Sequence, residues 1–125
     1  MQNDGGTHAA REAAAWLGRA CQATGRALQP QVGIILGSGL NDLLADAAIS
    51  LRCPYDAIPH FAPTTVAGHA GQFELGQLYD QPIAVLRGRY HLYEGYAPHE
   101  LALPVRTLHA LGVTTLIVTN AAGGL

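Results

Sequence analysis

The sequence predicts an α/β fold, a mainly parallel or mixed twisted sheet with flanking helices. Three observations carry that expectation. VGIIL at 32–36 and TTLIVTN at 114–120 are apolar, β-branched runs without alternation, as strands covered on both faces require. Helical periodicity fills the stretches 7–24 and 98–111, one ahead of each run. Between them, two further strand-like runs meet at a tight turn, which reads as an antiparallel hairpin.

Residues 1–6 are polar and glycine-rich and read as a loose terminus. Thr7 can cap a helix reaching about residue 24, with Ala13, Trp16, Leu17, Ala20 and Cys21 on one face and Gly25 stopping the run. VGIIL, then GSGL at 37–40, then a short helix in NDLLADA make a strand, a glycine loop and a helix, the plan of a phosphate-binding turn. Pro54, Pro59 and Pro63 interrupt regular structure, leaving a short strand near ISLR and a long loop, PYDAIPHFAPTTVAGHAG. Loops of that length within a compact domain are commonly functional. QFELGQLY and PIAVLRGR form the hairpin about Asp80 and Gln81. Pro98 opens a helix through Leu111 that buries Leu101, Val105, Leu108 and Leu111, kinks at Pro104 and ends before Gly112. Two full helices and one short one for about five strands are fewer than a doubly covered sheet needs, so the fold is expected to be incomplete.

Composition narrows the function classes. With 49% hydrophobic and 13% charged residues, the 125-residue chain is a packed globular one. A net charge of −2 offers no basic footprint, which argues against nucleic acid or an acidic membrane as partner. All seven basic residues are arginine, a bias that base composition alone explains. Cys21 and Cys53 lack metal-type spacing and fit buried, reduced thiols. No apolar run is long enough to span a bilayer and the N-terminus is unlike a signal peptide, so a cytoplasmic location is expected.

The chemistry concentrates at strand ends. GSGL offers unobstructed N–H groups and the Ser38 hydroxyl, although the same residues suit a plain strand-to-helix turn. RGRYHLYEGY at 87–96 says more. Arg89 can clamp an oxyanion through two parallel hydrogen bonds, and His91, two residues on in an extended chain, would face the same side. Tyr93 could lie against a sugar, and Glu94 could orient His91 or a bound hydroxyl; a solvated strand end is the plainer alternative. His69, between Gly68 and Ala70, lies in a glycine-flanked segment of the long loop that could close over a ligand, although a lone loop histidine is more often incidental. NAAGG at 120–124 puts Asn120 and small residues where open α/β sheets bind ligands, and taken alone it equally suits a tight turn into a further helix.

Taken in order, GIILGSGL (33–40), VAGHAGQFELG (66–76), RGRYHLYEGY (87–96) and PVRTLHALGVTTLIVTNAAGGL (104–125) resemble the trimeric purine nucleoside phosphorylases. The likeness covers nearly everything from about residue 20 onward, and RYHLYEGY looks like the purine nucleoside enzymes rather than the methylthioadenosine phosphorylases.

The resemblance implies phosphate-dependent cleavage of inosine- or guanosine-type ribonucleosides and deoxyribonucleosides, as in purine salvage, to free base and pentose 1-phosphate. It implies no metal or organic cofactor and a homotrimer at full length. Phosphate would be bound by Ser38, Arg89, His91 and the Ala121 N–H, with His69 beside it. His91, Glu94 and His69 would be the catalytic residues; Tyr93 would contact the ribose, and Asn120, Ala121 and Ala122 would wall the nucleoside. In the family, the residues that grip the purine, a second phosphate serine and a histidine near the ribose 5′-hydroxyl lie further along the chain. The resemblance therefore casts residues 1–125 as the N-terminal portion of a single phosphorylase domain, inactive when isolated. A non-catalytic fragment that keeps only a phosphate half-site, and a relative acting on xanthosine, are the alternatives. Asn41 and Ala67 depart from the family pattern, which often has a small residue and a proline there, and both bear on loop rigidity.

Overall fold

The computed structural model describes residues 4–37, 41–62, 71–88 and 95–119. Helix α1 (Asp4–Gln22) precedes strand β1 (Val32–Leu36); β2 (Ala48–Pro54), β3 (Gln72–Leu78) and β4 (Gln81–Arg87) follow. Helix α2 (Pro98–Ala110) then leads into β5 (Thr115–Val118). The sheet order is β2-β3-β4-β1-β5. β1 runs parallel to both its neighbours, β4 and β5, whereas β3 runs antiparallel to β2 and β4, so the sheet is mixed. The α/β class expected from the sequence is the class observed.

Side-chain alternation divides the core between the two faces of the sheet. One face carries Ile35, Cys53, Phe73, Leu75, Ala84 and Leu86, and α1 and α2 cover it with Ala13, Leu17, Cys21, Leu103 and Leu108. The other carries Ile34, Leu36, Ile83 and Val85 under a smaller cover that includes Leu44, from a 3₁₀ turn at Asn41–Leu44. Both cysteines are buried and unbridged, as expected.

Several elements depart from the sequence reading. The alanine-rich α1 starts at Asp4, one turn before Thr7, which therefore lies inside the helix and not at its cap. β2 extends beyond ISLR to include Pro54 at the strand's end, and a 3₁₀ turn at Tyr55–Ala57 shortens the loop that follows. The hairpin turns one residue early, at Tyr79 and Asp80, which both adopt positive φ (50° and 67°) as a two-residue turn between twisted strands demands. Pro82 consequently lies within β4.

Helix α2 runs unbroken through Pro104. Its buried residues are Leu103, Pro104, Thr107 and Leu108, whereas Val105 is 42% exposed, contrary to expectation. Close packing on β1 sets that rotation: a Cβ on Gly33 would lie 3.1 Å from Leu108 Cδ1. Val105 turns instead toward a groove between α1 and α2 that Arg11, Arg106 and His109 also line.

β5 is the largest departure. It was expected to be covered on both faces, yet all four of its residues are exposed; it ends the sheet, with β1 its only strand neighbour among the described residues. Ile117 and Val118 are 46% and 52% exposed.

Candidate functional site

The parallel strands β4, β1 and β5 end side by side. Leu36 pairs with Arg87, and Ile35 with Val118, so three adjacent strands deliver the chain to one rim of the sheet at its carboxyl end. In open α/β sheets that rim is where ligands bind. Ser38, Arg89 and Asn120 are the next residues along the chain after Gly37, Gly88 and Thr119, which form the three exits. Every residue assigned to the site from sequence, namely Ser38, His69, Arg89, His91, Tyr93, Glu94, Asn120, Ala121 and Ala122, lies outside the described residues. What the structure describes is the frame from which those segments depart.

That frame is bonded across the strands. The Thr119 N–H donates to the Ile35 carbonyl at 2.9 Å, and its hydroxyl donates to the same carbonyl at 3.0 Å. Thr119 Oγ1 in turn accepts from the Gly37 N–H at 3.4 Å, which ties the β1 exit to the β5 exit. On the other side, the Gly88 N–H donates to the Leu36 carbonyl at 3.4 Å. Gly88 has φ +84°, a conformation that turns the chain sharply off β4 and that glycine alone takes without strain.

Tyr55 joins two of the candidate loops. Its N–H donates to the Gly71 carbonyl at 3.1 Å, at the end of the segment containing His69, and its hydroxyl donates to the Gly88 carbonyl, at the start of the segment containing Arg89 and His91. The ring is 1% exposed and packs on Phe61 with centroids 5.6 Å apart. Beneath the β4 exit, the fully buried carboxylate of Glu74 accepts from the Nε of both Arg52 and Arg87. Nearby on the opposite face of the sheet, burial pushes the Cys53 thiol up to about 11.

Sequence reasoning missed Tyr55, Glu74 and Thr119 as parts of this frame. Glu74 and Arg87 could have been paired by counting back from the hairpin turn, since residues with the same alternation on adjacent strands share a face. For Tyr55 the only sign was a large aromatic residue set among prolines. Thr119 was read as part of a strand; it lies just beyond β5 and acts through its hydroxyl. Among the described residues no group of His, Cys, Asp or Glu is suited to hold a metal ion, and no helix is long and apolar enough to cross a membrane.

The sequence profile of the phosphorylase superfamily matches residues 31–125, and the chain belongs to that superfamily. Within it, the chain is similar to the purine nucleoside phosphorylases. It is 51% identical to purine nucleoside phosphorylase 1 of Geobacillus stearothermophilus over 96 residues, covering 77% of this chain and 35% of the relative. Against the purine nucleoside phosphorylase of Rattus norvegicus it is 47% identical over 97 residues, covering 78% and 34%. A crystal structure of the Schistosoma mansoni purine nucleoside phosphorylase in complex with acetate superposes with TM-score 0.81 at 37% identity over 94% of this chain and 41% of that one. Isoform 2 from the same organism, in complex with cytosine and ribose-1-phosphate, superposes at TM-score 0.78 with 43% identity, over 94% and 39%. The chain thus spans about a third of the length of the curated relatives it matches.

Proposed function

We propose that residues 1–125 supply the phosphate side of a purine nucleoside phosphorylase, as the N-terminal portion of one phosphorylase domain that cleaves inosine- or guanosine-type nucleosides to free base and pentose 1-phosphate. The observation that supports this most is the shared rim: the segments beginning at Ser38, Arg89 and Asn120 leave the sheet from the ends of three adjacent parallel strands. The similarity to enzymes of that name, one of them bound to ribose-1-phosphate, supports the same reading.

In the reaction a phosphate oxygen bonds to the anomeric carbon while the bond from that carbon to the purine nitrogen breaks. Its electron pair leaves with the base, which takes up a proton. Positive charge develops on the sugar at the transition state, and a phosphate dianion held beneath it stabilises that charge. In the proposed assignment Arg89 clamps the phosphate through two parallel charge-assisted bonds, with Ser38, His91 and the Ala121 N–H completing the cradle. His69 lies beside the phosphate. Tyr93 orients the ribose, Glu94 supports His91 and the phosphate network, and Asn120, Ala121 and Ala122 border the nucleoside. The phosphate is a co-substrate, and the proposal requires no metal or organic cofactor. A homotrimer in the cytoplasm completes it.

The test is inosine turnover by this chain, alone and extended with the C-terminal portion of the Geobacillus relative, with and without phosphate. Hypoxanthine release only when phosphate is present, accompanied by ribose 1-phosphate, is the expected result for the extended chain. Release that continues without phosphate would indicate a hydrolase and overturn the reaction.

A further inference from the structure

Glu74 lies in the middle of β3, wholly buried, on the sheet face that also carries Ile34, Leu36, Ile83 and Val85. The strand register places Arg52 directly opposite it on β2, and Arg87 two residues beyond its β4 partner Val85, on the same face. Both guanidinium groups donate through Nε to one oxygen: Arg52 at 2.7 Å and Arg87 at 2.8 Å from Oε2. Oε1 is buried and accepts no hydrogen bond.

The two arms differ. Arg52 belongs to the edge strand β2 and its side chain is 55% exposed, whereas the Arg87 side chain is 21% exposed and closes β4 one peptide before Gly88. A carboxylate set in an apolar face is a poor way to stabilise a sheet, since a well-packed apolar residue usually serves as well or better. What an apolar residue cannot do is hold a guanidinium at a fixed point. The R-G-R sequence at 87–89 offers two arginines two residues apart at the entrance to the candidate phosphate loop, and Glu74 engages the first of them.

We propose that Glu74 is a positioning residue for the phosphate site: by holding Arg87 against the sheet it fixes the start of the 88–94 segment and leaves Arg89 as the arginine offered to the anion. The inference rests on the phosphate-binding reading above and deepens it. Glu74 touches no substrate in this scheme and acts only through Arg87.

The test compares Glu74→Gln, Arg87→Met and Arg52→Met in the chain extended with the C-terminal portion of the Geobacillus relative. It measures the Kd of inorganic phosphate by calorimetry together with separate KM values for phosphate and inosine. Glu74→Gln and Arg87→Met should each weaken phosphate by about tenfold, leave the inosine KM within about twofold, and be no worse when combined. Arg52→Met breaks the other arm of the same carboxylate and should leave phosphate binding within about twofold. A purely structural cluster would instead move both arginine variants alike, and that result overturns the proposal, as does unchanged phosphate affinity in a folded Glu74→Gln protein. Should Glu74→Gln fail to fold, the comparison of Arg87→Met with Arg52→Met decides. Phosphate binding that shifts as described without any base release would retain this inference and overturn the proposed reaction; an unsubstituted extended chain that binds no phosphate overturns both.

Discussion

The ring of Tyr55 occupies the space that a side chain on Gly71 would need: a Cβ built there falls inside the van der Waals envelope of Cε2 and Cδ2. The same two residues are joined by the bond from the Tyr55 N–H to the Gly71 carbonyl, so the aromatic ring and the glycine fix each other's position. Gly71→Ala should therefore destabilise the fold by about 1–3 kcal/mol, the usual cost of overpacking a filled site. Tyr55→Phe keeps the ring and loses the hydroxyl bond to Gly88, which should cost about 1 kcal/mol. Urea unfolding of the two variants checks the ranking. Tyr55→Ala should also relieve part of the Gly71→Ala cost, and strictly additive effects would refute the steric account.

Cys53 supplies a pH dependence with a definite sign. Burial raises its thiol to about 11 in the folded chain, so above the ordinary thiol range the folded state holds a proton that the unfolded state has lost. The contribution of this residue to stability is full below about pH 9 and should be lost as the pH rises toward 11, by on the order of 2 kcal/mol. Unfolding midpoints measured between pH 8 and 11 for the chain and for Cys53→Ala should converge as the pH rises. In the native chain at pH 8, Cys53 should react with iodoacetamide far more slowly than after denaturation, because the buried group is protonated and shielded.

The β5 edge carries a third expectation. Leu116, Ile117 and Val118 are each more than two-fifths exposed on a strand whose outer side has no neighbour among the described residues. Edge strands of this kind template pairing with other chains. The isolated 125 residues should self-associate in sedimentation velocity, and Ile117→Lys should shift them toward monomer while changing stability by less than about 1 kcal/mol. A chain that is already monomeric at tens of micromolar would remove this reading of the edge.

The fold was legible wherever a segment's own pattern decided its structure. VGIIL announced a covered strand, and the spacing of Ala13, Leu17 and Cys21 announced the buried face of α1. What could not be read depended on partners distant in sequence. The exposure of β5 follows from its place at the end of the sheet order, which an apolar run does not encode. The rotation of α2 follows from Leu108 lodging against Gly33, 75 positions away, and so Val105 was assigned to the wrong side. The candidate site divides along the same line. Local motifs at 37–40, 87–96 and 120–124 drew attention to its loops, whereas Tyr55, Glu74 and Thr119, which brace the ends of those loops, act through contacts 13 to 84 residues apart.

Thr119 offers the cleanest separation of frame from fold. It follows the last residue of β5, and its hydroxyl both donates to the Ile35 carbonyl and accepts from the Gly37 N–H, so one side chain locks the exits of β1 and β5 together immediately before Ser38 and Asn120. Valine has nearly the same shape and lacks the hydroxyl. Thr119→Val should therefore preserve packing and cost about 1 kcal/mol in stability from the lost hydrogen bonds. Because the loosened exits lead to residues assigned to both phosphate and nucleoside, both KM values should rise together in the chain extended with the Geobacillus C-terminal portion, each by about three- to tenfold. Thr119→Ser retains the hydroxyl and should recover most of the loss. If Thr119→Val lowers the melting temperature while leaving both KM values unchanged, Thr119 serves the sheet alone and the rim does not depend on it for its geometry.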